Sequence, residues 1–84
     1  MNNIDFIVER KKFGEHVRSL RLKIESTDYN KDKISLQELT DKSNNISKKT
    51  LGQIERGETN PKFDTLIVLS KLLEVSIKDL MDYN

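Results

Sequence analysis

The amino-acid sequence predicts an all-α fold, a compact five-helix domain without a sheet, and three observations carry that expectation. First, one local pattern occurs three times: an apolar residue, a serine, three residues and a leucine. It appears at Ile34-Ser35 to Leu39, at Ile46-Ser47 to Leu51 and at Val75-Ser76 to Leu80. In each, the serine hydroxyl is placed to accept a hydrogen bond from a free N–H of the first helical turn. The apolar residue before it packs on the leucine at the fourth helical position, a hydrophobic staple. Second, Phe13, Val17, Leu20 and Ile24 recur at steps of three and four, and residues 63–75 are largely apolar, so two further helices are expected. Third, no stretch of useful length alternates apolar and polar residues as a half-buried strand requires.

Taken in chain order, residues 1–12 form an N-terminal extension, either a continuation of the first helix or an arm, ahead of the main domain at 13–84. The first helix carries its apolar stripe between Arg18, Arg21 and Lys23. Ser26 to Lys33 is polar and turn-forming, and reads as an exposed loop that is mobile because it has little to bury. The alternative is that the first helix runs on through it. Ser35 opens a short helix from Leu36 to about Lys42, and Glu38 three residues on completes a capping box. A turn at Ser43-Asn44-Asn45 follows, where asparagine tolerates a left-handed conformation. Ser47 opens the helix Lys48 to Arg56, and Gly57 suits the left-handed residue that ends it. Asn60-Pro61 leads into a helix from Phe63 to Val75, since proline is tolerated in a first turn. Ser76, with Asp79 as a shorter capping partner, opens the last helix near residue 77.

Composition narrows the function by exclusion. Eighty-four residues make one small domain, and the absence of cysteine rules out disulfides and thiolate metal sites. With one histidine, no nucleophile–base set and no phosphate-cradling loop, neither an enzyme nor a metal or cofactor site is expected. No apolar run is long enough for a membrane span and no signal peptide is visible, so the expected location is the cytoplasm, in a bacterial or phage-encoded, nucleoid-associated protein. Fifteen basic against fourteen acidic residues leave a formal net charge of +1. Residues 1–34 hold eight basic and six acidic side chains, 35–61 four of each, and 62–84 three against four. Composition alone therefore does not point to nucleic acid. His16, Tyr29 and Tyr83 carry no readable pattern, and His16 beside Glu15 is expected to be an exposed helix residue.

The two helices around the Ser43-Asn44-Asn45 turn form a helix-turn-helix. The run Ile46-Ser47-Lys48-Lys49-Thr50-Leu51-Gly52-Gln53-Ile54-Glu55-Arg56-Gly57, followed by Asn60-Pro61, resembles the recognition helix and exit loop of the lambda-repressor and Cro-type family. Phe13-Gly14, Val17-Arg18 and Leu20-Arg21 are similar to that family's first helix, and Leu72-Leu73-Glu74-Val75-Ser76 to its last junction. The similarity covers residues 13 to about 82. Three positions depart from the family: about eight residues inserted between the first two helices, Thr40 where alanine is usual, and a turn one residue longer that lacks glycine.

The resemblance implies binding of double-stranded DNA, with the third helix in the major groove and its N-terminal residues facing base edges. On a helix starting at Lys48, positions 48, 49, 52 and 53 reach the groove first, while Leu51 and Ile54 turn inward. Lys48 and Lys49 can donate to guanine O6 and N7, and Gln53 can pair with adenine N6 and N7. Thr50 and Ser47 reach a phosphate or a thymine methyl, and Gly52 has no side chain to read with but lets the backbone come close. Phosphates are expected at the first turn of the second helix, with Ser35 and Gln37, and at Arg56, Asn60 and Lys62. Leu36 stands where the family often has a phosphate-binding glutamine. Arg21 and Glu55 resemble a family pair joining the first helix to the end of the third, a structural role. A homodimer is implied, through the last helix and tail with Leu80, Met81 and Tyr83, or through residues 1–12 with Ile4, Phe6, Ile7 and Val8. Transcriptional regulation, by repression, is the expected role, with no small-molecule ligand. The alternative is an antitoxin or a protein-binding adaptor on the same fold.

Overall fold

The computed structural model describes residues 3–27 and 32–84. Five helices are formed: α1 Phe6–Arg21, α2 Leu36–Thr40, α3 Lys48–Glu55, α4 Phe63–Leu72 and α5 Ile77–Leu80. Among the described residues the only β-type pairing is one isolated bridge, Glu25 with Lys33. The all-α, five-helix expectation is met.

The serine pattern sets three helix starts. The Oγ atoms of Ser35, Ser47 and Ser76 accept from the N–H groups of Glu38, Thr50 and Asp79 at 3.0, 3.1 and 3.0 Å. Helix α1 begins at Phe6, capped by the Asp5 carboxylate, which accepts from the N–H groups of Ile7 and Val8. Residues 6–12 thus continue the helix. At the other end it stops at Arg21, short of Ile24, and tight turn bonds from Lys23 and Ile24 back to Leu20 and Arg21 take over.

Several expected details are corrected. Helices α2 and α4 stop at Thr40 and Leu72, before Lys42 and Val75. Pro61 lies just outside α4, whose cap is Lys62 without a side-chain bond. Positive φ among the described residues occurs at Gly57 (72°) and Glu74 (59°), so the Asn44-Asn45 turn does not use a left-handed residue. Instead Ser43 Oγ accepts from the Asn45 N–H at 3.0 Å, closing the turn with a side chain. Glu74 ends α4 as Gly57 ends α3. In each case the next N–H reaches back five residues, Val75 to Ser70 and Glu58 to Gln53, which satisfies a carbonyl the helix leaves open.

Phe13, Val17, Ile34, Leu39, Ile46, Leu51, Ile54, Leu69, Leu73 and Leu80 are buried together as one core. Helix α3 lies at its centre and packs on both α1 and α2, while α4 packs on α5. Thr40 is buried at the α2–α3 junction, and its hydroxyl donates to the Leu36 carbonyl at 2.9 Å. A hydroxyl satisfied within its own helix leaves only a methyl to pack, so threonine stands in for the family's alanine.

Two side chains set aside in the sequence have structural roles. His16 is half-buried, and its Nε2 lies 2.8 Å from the Asp79 carbonyl, which only accepts, so that nitrogen carries the proton and ties α1 to α5. Tyr83 meets Phe13 edge-to-face and donates to a Glu9 carboxylate oxygen at 2.7 Å, which raises its phenol pKa. Tyr29, and the middle of the inserted loop at 28–31, lie outside the described residues.

The described ends of that loop, which was expected to be exposed and mobile, are held by hydrogen bonds. The Glu38 carboxylate does not turn back to complete its capping box. It accepts from the hydroxyls of Ser26 and Thr27 and from the Thr27 N–H, the last at 2.9 Å. Ile34 N–H donates to the Ile24 carbonyl at 3.0 Å across the loop's neck. These donors, the Ser26 hydroxyl foremost, lower the Glu38 pKa from 4.5 to about 2. A depressed folded-state pKa means the clasp is fully present above the unfolded value and is lost as pH falls towards about 2. The Thr27 amide resonance should therefore titrate with a midpoint near 2. Replacing both Ser26 and Thr27 by alanine removes the two hydroxyls but keeps the residue-27 N–H, so the midpoint should rise towards, without reaching, the ordinary carboxylate range. A midpoint already in that range in the unmodified protein would show that the clasp is open.

Candidate nucleic-acid interface

Helix α3 turns Leu51 and Ile54 into the core and leaves Lys48, Lys49, Gly52, Gln53 and the capping residue Arg56 on its outer side. The spacing explains this: positions 48, 49, 52, 53 and 56 repeat at steps of one, three, one and three, which is a single helical face. Lys48 and Lys49 are exposed in the first turn, next to the unpaired N–H groups of the helix start. Gln53 and Thr50 are half-buried. Ser47 Oγ accepts from the Thr50 N–H and donates to Thr50 Oγ1 at 3.0 Å, so its proton is committed within the cap. Thr50 keeps its methyl and its own hydroxyl proton.

Helix α2 packs on α3. Ser35 accepts from Glu38, and its own hydroxyl proton has no partner among the described residues. Gln37 is exposed, with Nε2 donating to Asp41 Oδ1 at 2.7 Å, the pairing expected of residues four apart on a helix. Lys62 is exposed at the start of α4. Asn60 is placed differently from the other candidates: it borders a cleft with Phe6 and Arg10, on the α1 side of the domain.

Arg21 and Glu55 form the pair that the resemblance implied. Nε and Nη2 of Arg21 donate to the two carboxylate oxygens of Glu55 at 2.7 and 3.0 Å, and Nη1 donates to the Ile34 carbonyl at 2.7 Å. The side chains are 10% and 6% exposed, so the pair is a fixed brace that holds α3 on α1.

Arg56 is not a bare flank residue. Its Nε donates to Glu58 Oε2 at 2.9 Å, and this bond raises the arginine pKa and lowers the glutamate's. The guanidinium lies back along the helix, so that a Cβ built on Gly52 would come 3.0 Å from Arg56 Nη1. Gly52 is therefore covered, not open to a close approach as expected. Glu58 was missed in the sequence, because an acid two residues on from an arginine, across a helix end, has no periodic signature.

Among the described residues no helix is long and apolar enough to cross a membrane. Residues 30–80, more than half of the chain, match the helix-turn-helix family. No curated protein and no solved structure was found to match the chain. The capped helix pair, its braced third helix and this match agree. The chain belongs to the lambda-repressor-type helix-turn-helix family of DNA-binding transcription regulators.

Proposed function

We propose that the chain binds a specific double-stranded DNA site with α3 in the major groove, and acts as a repressor by occupying that site. The observation that carries this reading is the outer face of α3, where exposed Lys48 and Lys49 and half-buried Gln53 lie on the side away from the core, on a helix anchored by Leu51, Ile54 and the Arg21–Glu55 brace. A rigid helix presenting amide and ammonium donors is what base-edge reading requires. Thr50 adds a methyl and a hydroxyl to the same turn. Gln37, Lys62 and the Ser35 hydroxyl are assigned to phosphates beside it, with the N-terminal N–H groups of α2. Ser47, its proton already used, supports the helix start, and Asn60 reaches a phosphate only if the duplex extends along the α1 side.

Base reading and phosphate anchoring respond differently to mutation and salt. Gln53→Ala should cost about 1–3 kcal/mol on the preferred site, the worth of a bidentate amide–adenine pair. On random duplex it should cost much less, because that binding is electrostatic. Lys62→Ala should weaken both kinds of site alike and lower the salt slope by roughly one unit. The check is binding of each variant to specific and scrambled duplexes over a range of salt. If Gln53→Ala loses nothing on the specific site, α3 does not read bases as placed; if the chain shows no salt-dependent affinity for duplex at all, a protein-binding role takes its place.

One module reads few base pairs, so we place two copies on successive major-groove turns ~34 Å apart. Of the residues first expected at the interface, Leu80 is fully buried in its own core and Tyr83 packs on Phe13, so neither is available. Phe6, Ile7 and Val8 on α1, with Ile4 before it and Met81 after α5, remain exposed. Phe6 and Met81 flank a cleft of about 450 Å³ shared with Phe13, Pro61, Leu66 and Tyr83. A second copy joined through this surface is the dimer we propose. Sedimentation at tens of micromolar should give a dimer mass that Phe6→Glu abolishes. A single-protomer mass with and without DNA would overturn it.

A further inference from the structure

We infer that Arg56 reads a base, from its place over Gly52, which has no side chain of its own; this rests on the major-groove reading of α3. Side chains on a helix lean towards its N-terminus, so a long side chain at position 56 reaches back over position 52. Here the three nearest atoms to a Cβ at Gly52 all belong to the Arg56 guanidinium: Nη1 at 3.0 Å, with Cζ and Nη2 at 3.8 Å. The guanidinium of the exposed Arg56 is thus what a side chain at 52 would meet first, and residue 52 lies between Lys49 and Gln53 in sequence, on their face of the helix. Glycine supplies no reading group there, and the guanidinium of Arg56 occupies the place that one would fill.

The fork is also aimed. Glu58 takes Nε at 2.9 Å, which leaves both Nη groups without a hydrogen-bond partner among the described residues. Two parallel Nη donors match guanine O6 and N7, the acceptor pair of the major groove. Gly52, Arg56 and Glu58 thus act as one unit: an empty position, a fork laid over it, and a carboxylate that fixes its angle. Glu58 is a positioning residue in this arrangement, since it touches the guanidinium and not the base. The ligand feature is a guanine in each half-site, one turn of α3 beyond the bases facing Lys48 and Lys49.

The test is selection of bound sites from random duplex DNA by the full chain and three variants, with affinity for a scrambled duplex measured alongside. Arg56→Lys keeps the charge and loses the fork, so scrambled-duplex affinity should hold while preference for one guanine falls by about tenfold or more. Gly52→Ala should weaken the same preference, because a methyl 3.0 Å from Nη1 makes the fork give way by a few tenths of an ångström. It should also raise Tm, since alanine favours a helix interior over glycine, so the loss cannot come from unfolding. Glu58→Ala should weaken the same guanine preference and strengthen scrambled-duplex binding, as an acid is removed. If Arg56→Lys and Gly52→Ala select the same sequence as the unaltered chain, or if Arg56→Lys weakens every position equally, the inference fails while the reading of α3 stands. If the unaltered chain selects no sequence at all, both fail together.

Discussion

Arg21→Met should remove roughly 3–5 kcal/mol of stability, because it leaves the Glu55 carboxylate buried without its partner. That loss is comparable to the whole stability of a small domain, so the variant should be largely unfolded at room temperature or melt far below the parent. Three bonds go at once: the two to Glu55 and the one to the Ile34 carbonyl. Arg21→Lys should fall between, since an ammonium keeps the charge and loses the planar fork. The informative variant is the double replacement Arg21→Met with Glu55→Met. With no charge left uncompensated, it should recover a large part of the loss, as buried pairs exchanged for apolar residues of similar volume often do. Urea denaturation followed by circular dichroism gives these stabilities and, with the Glu55→Met single variant added to close the cycle, the coupling between the two positions. If the single variant costs less than about 1 kcal/mol, the pair is solvated and worth what surface pairs are worth. The brace between α1 and α3 would then have to be sought elsewhere.

That pair and the helix starts were legible in the sequence for different reasons. The caps at Ser35, Ser47 and Ser76 are local, since hydroxyl and N–H lie three residues apart, and the chain's own geometry brings them together. The left-handed residue after α3 was legible because glycine occupies it. Its counterpart after α4 was not, because Glu74 adopts φ 59° against its own preference, held by the Val75 bond to Ser70. Contacts between distant segments left no trace in spacing. His16 and the Asp79 carbonyl are 63 residues apart, and Tyr83 and Glu9 are 74 apart. Glu38 shows the limit from the other side: its position three residues after a serine was read as completing a capping box, but only the Ser35 half forms, and donors at Ser26 and Thr27 take the carboxylate instead. On α3 the outward face followed from periodicity, but the direction of the Arg56 side chain depended on Glu58, a partner in the exit loop.

Gly14→Ala should destabilise the domain by about 2–3 kcal/mol, with the sign itself the informative result. On a solvent-exposed helix face the same change would stabilise by roughly 1 kcal/mol, since alanine is the better helix former. Here α1 crosses the last turn of α3 at this position. A Cβ on Gly14 would stand 2.5 Å from the Glu55 carbonyl oxygen and against that of Ile54, both backbone atoms that cannot swing aside. The helices must move apart to admit it. Separation loosens the contact of Val17 with the α3 side of the core, where Leu51 and Ile54 are buried. It also stretches the brace, because Arg21 lies seven residues beyond Gly14, two turns along the same face. Gly14→Ala and Arg21→Met should therefore be less than additive: once the pair is broken, part of the strain at Gly14 can relax. For a domain of this size each kcal/mol moves Tm by about 4–8 °C, so the single variant should melt on the order of 10–20 °C lower. Heat denaturation of the parent, the two single variants and the double variant measures the effect and the coupling together. A Gly14→Ala protein that melts at or above the parent temperature would mean that α1 and α3 stand further apart than described. The close approach that positions the outer face of α3 would then be absent.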